Sequence, residues 1–113
     1  MSSDVLFLSP LERHGPALAG LRDAFGGGEV LAGAGVSDAL RAAFAEGRPT
    51  VGLCAAGILI RLLAGQLHDK HSEPPVVMAT EAGDFVPLLG GHHGANRLAQ
   101  DLAEAGAGFA LIS

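Results

Sequence analysis

Thr50-Val51-Gly52-Leu53-Cys54-Ala55-Ala56-Gly57-Ile58-Leu59-Ile60-Arg61-Leu62-Leu63-Ala64 is the stretch on which the fold turns. Thr50 to Ala55 reads as a short buried strand, and Gly57 opens a strongly apolar helix. A strand that runs straight into a helix across a short loop is the repeating unit of sheets covered by helices. The spacing from Gly52 to Gly57 imitates part of a phosphate loop, but no Lys-Ser or Lys-Thr follows, which excludes that chemistry. Arg61 interrupts the apolar helix, either as a side chain that snorkels to the surface or as a ligand contact.

The same unit recurs toward the N-terminus. Val5-Leu6-Phe7-Leu8 is a strand closed by Ser9-Pro10, and Leu18, Leu21, Ala24 and Phe25 recur at helical spacing between Glu12 and Phe25. Gly26-Gly27-Gly28 ends that helix. Glu29 to Ala32 is a second strand, followed by a turn at Gly33-Ala34-Gly35 that lacks the third glycine of a dinucleotide fingerprint. Ser37 or Asp38 is then expected to cap a helix carrying Leu40, Ala43 and Phe44, which ends at Gly47 before Pro49.

Toward the C-terminus the pattern breaks. His68-Asp69-Lys70-His71-Ser72-Glu73-Pro74-Pro75 is polar, holds the only lysine, and as plain sequence is a solvated linker. Pro75 to Ala79 begins a strand, Glu81-Ala82-Gly83-Asp84 supplies a turn and Phe85 to Leu89 runs back, a β-hairpin. It delivers the turn Gly90-Gly91-His92-His93-Gly94-Ala95-Asn96. A helix from Asn96 to Glu104 follows, with Asn96 as its cap or as a ligand contact, and Phe109 to Ile112 is a last strand.

The whole predicts one domain over residues 1–113: an α/β, three-layer architecture with a mostly parallel sheet, helices on both faces and one β-hairpin. In such sheets ligands bind outside the carboxyl ends of the strands. Gly33 to Ser37, Ala55 to Gly57 and Gly90 to Gly94 all follow strands and are expected to share one rim.

Hydrophobic residues make up 49% of the 113 and charged ones 17%, too apolar for a disordered chain. Aromatics are only 4%, so Leu, Val and Ala must fill the core. The net charge of -5 argues against nucleic acid and anionic membranes as partners. No apolar run approaches the roughly 18 residues that cross a bilayer and no basic leader opens the chain, so a cytoplasmic protein is expected. Cys54, alone in its apolar run, reads as a buried small side chain rather than a nucleophile.

Four of the five histidines lie between His68 and His93, with the cation Lys70 among them and Arg61 ahead of them. Three kinds of chemistry compete for them. Zinc would need a ligand spacing that is absent, and no metal is expected. An acid/base pair would use His92 or His93 near a helix start, assisted by Glu81 or Asp84, with His92 as the catalytic candidate. A recognition surface asks least of the sequence: Lys70, His71, His92 and the backbone N–H groups near Gly94 would hold the carboxylates of one anionic ligand.

Gly57 to Arg61, Asp69 to Val77 and Glu81 to Ala99 resemble the N-terminal domain of the cobalamin-biosynthesis protein G family. The resemblance rests on ordered Lys-x-x-(Asp/Glu)-Pro, Glu-x-Gly-x-Phe-Val and Gly-His-x-Gly-Ala-Asn elements and covers roughly Val51 to Ala105. Those proteins are cobalt-precorrin-5A hydrolases, which open a ring lactone and release a two-carbon fragment. The resemblance implies an anionic tetrapyrrole (precorrin) ligand, places Lys70, Glu81, His92, Gly94 and Asn96 on the family pattern, and implies further domains downstream as partners. With the flanking Arg61, His71, Gly91 and His93, these are the candidate substrate contacts.

The turn from Gly90 to Asn96 is one residue shorter than the family's Ser-Gly-His-x-Gly-Gly-Ala-Asn form. In this it resembles versions of the domain fused ahead of a precorrin-3B C17-methyltransferase. That implies an accessory, precorrin-binding domain in cobalamin biosynthesis, with no cofactor in this fragment and S-adenosylmethionine bound by the methyltransferase part. The alternatives are a cobalt-precorrin-5A hydrolase component and a structural docking or dimerisation module, and a homodimer is compatible with each.

Overall fold

The computed structural model describes residues 4–67, 73–91, 94–106 and 108–110. Among these, the strands are β1 (Leu6–Ser9), β2 (Glu29–Ala32), β3 (Thr50–Leu53), β4 (Val76–Ala79), β5 (Asp84–Leu89) and β6 (Phe109–Ala110). The helices are α1 (Gly15–Phe25), α2 (Val36–Ala45), α3 (Ala56–Leu63) and α4 (Ala95–Gly106). The expected α/β architecture is present: one sheet in the order β2-β1-β3-β4-β5-β6, parallel from β2 through β4, with an antiparallel step between β4 and β5. β6 runs parallel to β5.

Side chains alternate across the strands, which divides the core in two. Val5, Phe7, Val51, Leu53, Val77, Ala79 and Phe85 face α1 and α4, where they meet Leu18, Leu98, Ala99 and Leu102. Leu6, Leu8 and Val76 face α2 and α3 and pack on Val36, Leu40, Phe44, Leu59 and Leu63. With few aromatics available, Phe7 does much of the filling on its face, meeting Phe25 edge to face at 5.9 Å between ring centres. Gly52 lies on the opposite face, where a Cβ would come within 2.7 Å of the Leu59 side chain, so its missing side chain is what lets α3 approach the sheet.

Several local boundaries differ from the sequence expectation. Glu12–His14 form a single 3-10 turn, and the α-helix starts only at Gly15, with Pro16 in its first positions. α2 begins one residue before Ser37, with Gly35 at the cap in the left-handed region (φ 87°) and no side-chain cap bond, so neither Ser37 nor Asp38 caps it. β3 stops at Leu53, two residues short of Ala55. Asn96 stands inside the first turn of α4 and not at its cap, because the helix already starts at Ala95.

One difference changes the site. β5 is antiparallel to β4, with Leu89 beside Val76, so the turn after β5 lies at the edge where β4 begins. Gly33 to Ser37 and Ala55 to Gly57 do share the carboxyl rim of the parallel strands, but Gly90, Gly91 and Gly94 sit at the opposite edge of the sheet. The expectation of one common rim fails because a hairpin reverses strand direction.

Candidate functional site

β1 connects to β2 on one side and β3 follows on the other, so the chain changes direction across the sheet between β1 and β3. At such a switch point the loops leaving two neighbouring strands run to opposite faces and leave a crevice between them. Here the crevice is a cleft of about 770 Å³ walled by Pro10 and Leu11 after β1, Leu53 to Ala56 after β3, Ile58 of α3, and Met78 to Glu81 at the end of β4. Its volume is in the range of small-molecule sites. The wall is almost wholly apolar, and its ionisable groups are His14, Cys54 and Glu81.

His14 reaches the cleft through a compact chain of local bonds. The Leu11 N–H donates to Ser9 Oγ (3.1 Å) and the His14 N–H to the Leu11 carbonyl (3.0 Å), which folds the 3-10 turn back beneath the end of β1. Ser9 Oγ then lies 2.7 Å from His14 Nδ1, and His14 Nε2 lies 2.9 Å from Glu81 Oε2. The donors are mutually consistent for a neutral imidazole. A carboxylate only accepts, so Nε2 carries the hydrogen; in the neutral ring Nδ1 then accepts from the Ser9 hydroxyl, whose oxygen also takes the Leu11 N–H. Ser9 is fully buried and His14 is 7% exposed, whereas the Glu81 side chain is 64% exposed.

Glu81 is held by the tight turn of the hairpin. Thr80 N–H donates to the Asp84 carbonyl (3.0 Å), Asp84 N–H to Thr80 Oγ1 (3.0 Å) and Gly83 N–H to the Thr80 carbonyl (3.1 Å), with Gly83 at φ 94°. The turn therefore projects Glu81 from the carboxyl rim toward β1. Arg13 Nη1 lies 4.0 Å from the same carboxylate oxygen, an exposed pair of little energetic weight. Cys54, half-buried in the wall, has its thiol pushed up by desolvation, which disfavours the thiolate.

The residues singled out in sequence are dispersed. Arg61 is exposed on α3, and Glu81 stands on the carboxyl rim. Gly91, Gly94 and Asn96 are at the opposite edge, where α4 starts through the bonds Ala95 N–H to Gly90 carbonyl (3.1 Å) and Leu98 N–H to Gly94 carbonyl (2.8 Å). Lys70, His71, His92 and His93 lie outside the described residues. The described flanks of their two segments do meet: a Cβ on Gly90 would strike the carbonyls of Pro74 and Glu73, and one on Gly94 would lie 3.6 Å from Pro75 Cγ. Among the described residues, no group of three or more His, Cys, Asp or Glu is placed to hold a metal ion. No helix among them is long and apolar enough to cross a membrane.

Sequence reasoning passed over Ser9 and His14. Their partner Glu81 is 67 residues from His14 in the chain, and nothing local marks a histidine in a first helical turn as belonging to a distant hairpin. The one available signal was that His14 is the histidine outside the His68 to His93 group and follows a strand end by five residues.

A doubly wound α/β domain with an apolar cleft at its switch point, bordered by a hydrogen-bonded Ser-His-Glu array, is the class of protein these features define. The chain belongs to the Cobalamin synthesis G N-terminal family, whose model matches residues 38–113 and ties it to cobalamin synthesis. It is 41% identical over 71 residues to the cobalt-precorrin-5A hydrolase of Salmonella typhimurium, an alignment covering 61% of this chain and 20% of that protein. The fold matches the crystal structure of a cobalamin biosynthesis protein G homolog from Sulfolobus solfataricus with a TM-score of 0.77 at 19% identity, over 96% of this chain and 36% of that one. Glu81 falls inside the span matched by the family model, and Ser9 and His14 precede it.

Proposed function

We propose that this domain binds a tetrapyrrole precursor of the corrin ring at the switch-point cleft, as part of a hydrolase of the cobalt-precorrin-5A type. The observation that carries the reading is the cleft itself: about 770 Å³, apolar on nearly every side, with the family-pattern residue Glu81 at its mouth. An apolar wall suits the macrocycle of such a ligand, while its acetate and propionate groups stay in water. The 41% identical relative, itself named a hydrolase, favours this activity over methyl transfer.

A second reading assigns the carboxylates of the ligand to Lys70, His71, His92, His93, Gly94 and Asn96. The packing of Gly90 against Pro74 and Glu73 favours it, since it draws the flanks of both segments together. The shortened turn from Gly90 to Asn96 in turn favours an accessory role beside a precorrin-3B C17-methyltransferase, whose S-adenosylmethionine would be bound by that partner domain. In that form the module binds or hands over a precorrin and catalyses nothing itself.

Titration with cobyrinic acid, with Cys54 alkylation by iodoacetamide as a second readout, separates the two. Under the first reading the ligand slows alkylation of Cys54, which lines the cleft. Unchanged alkylation together with binding lost in Lys70→Ala and His92→Ala would decide for the second reading. Loss of the two-carbon unit from cobalt-precorrin-5A tests the hydrolase assignment directly.

A further inference from the structure

We infer that Glu81 is the base that activates water in the cleft and that His14, backed by Ser9, is the residue that positions it; this rests on the hydrolase reading of the same site. Three observations converge. The array joins three separate pieces of chain: the end of β1 (Ser9), the 3-10 turn that follows (His14) and the tip of the β4–β5 hairpin (Glu81). Its distances of 2.7 and 2.9 Å are those of well-formed hydrogen bonds, and they run unbroken from Ser9 through the imidazole to the carboxylate. Burial then grades along it, from a fully buried hydroxyl through an imidazole 7% exposed to a carboxylate 64% exposed.

That gradient sets the roles. Ser9 is enclosed and its oxygen already accepts the Leu11 N–H, so it is not placed to attack a ligand. The imidazole is buried with both ring nitrogens engaged, the arrangement by which a buried group fixes a reactive one in a productive orientation. Glu81 alone combines an anchored carboxylate oxygen with access to the cleft.

The step balances with water as the only co-reactant. Glu81 takes a proton from water as its oxygen bonds to the carbonyl carbon of a ring ester. The tetrahedral adduct then releases the ester oxygen, which takes the same proton back from Glu81. The products are a carboxylic acid and an alcohol, and the carboxylate is regenerated.

The test is steady-state hydrolysis of cobalt-precorrin-5A by the protein as its gene encodes it, with Cys54 protection as a parallel measure of binding. Glu81→Gln keeps the shape of an exposed turn residue and is expected to lower kcat on the order of 10²-fold or more, with Cys54 protection intact. His14→Gln is expected to lower kcat on the order of tenfold at unchanged KM, a split that a purely structural role would not produce. If the wild type hydrolyses the substrate and both variants keep its kcat, the assignment of Glu81 and His14 is overturned while the hydrolase reading stands. If the wild type protects Cys54 on binding but leaves the ring ester unopened, the hydrolase reading and this assignment fall together.

Discussion

His14 Nε2 lies 2.9 Å from Glu81 Oε2, and this one bond ties the start of the chain to the hairpin 67 residues later. The two ends of the bond are energetically unequal. Removing His14 leaves the buried Ser9 hydroxyl with only the Leu11 N–H as a partner and opens space in a buried site, so His14→Ala is expected to cost about 1–3 kcal/mol. Glu81→Ala removes a largely exposed partner and is expected to cost less than about 1 kcal/mol. Thermal unfolding of both variants and of the double variant measures the coupling, and equal losses from the two single changes would contradict this asymmetry.

Gly52 is the position where α3 comes down on the sheet. A Cβ there would lie 2.7 Å from Leu59 Cδ2 and 2.9 Å from Cδ1, tighter than packed atoms tolerate. Gly52→Ala is therefore expected to destabilise the fold by about 1–3 kcal/mol through overpacking. Gly52→Ala combined with Leu59→Val should recover part of that loss in denaturant unfolding, because the shorter side chain makes room for the methyl.

Gly90 and Gly91 are neighbours in sequence with opposite requirements. Gly90 adopts φ 75°, is buried, and faces the Pro74 and Glu73 carbonyls where a Cβ would stand. Gly91 has open space around its Cβ position. Gly90→Ala is expected to cost more than about 2 kcal/mol, from backbone strain and a clash with rigid main chain. Gly91→Ala should change stability by less than about 1 kcal/mol. Denaturation midpoints of the pair decide the matter, and similar midpoints would overturn the account of how this turn is built.

The βα alternation was legible because apolar runs such as Val5 to Leu8 and Thr50 to Leu53 are bounded by turn residues, and because Leu40, Ala43 and Phe44 keep helical spacing. The hairpin was legible too, from the turn chemistry around Gly83. What stayed hidden was direction. A strand's sequence says that it is buried but not which way it runs beside its neighbours, so the glycine turn after Leu89 was assigned to the rim that ligands use when it closes the other edge. Ser9 and His14 were hidden for a related reason: their significance depends on Glu81, and a contact across 67 residues leaves no periodicity to read. Glu81 was named in sequence, as an assistant to His92 or His93 and as a family-pattern position, but its actual partner His14 was not, since as local sequence Glu81 is a turn former.

Cys54 offers a titration at the wall of the cleft. Desolvation raises its thiol above the ordinary 9.0, so the thiolate needed for alkylation is scarce near neutral pH. Iodoacetamide is expected to modify the folded protein more slowly at pH 8 than it modifies the chain in denaturant, with the rate climbing as pH rises beyond 9.0. The sign for stability follows from the same shift. Above 9.0 the unfolded chain has lost a proton that the folded one still binds, so deprotonation draws the equilibrium toward unfolding. This residue therefore contributes nothing to pH dependence below that window and destabilises progressively above it. Cys54→Ser should flatten the alkaline fall in unfolding free energy, and an alkaline limb identical in wild type and Cys54→Ser would show that the thiol is not desolvated in the folded domain.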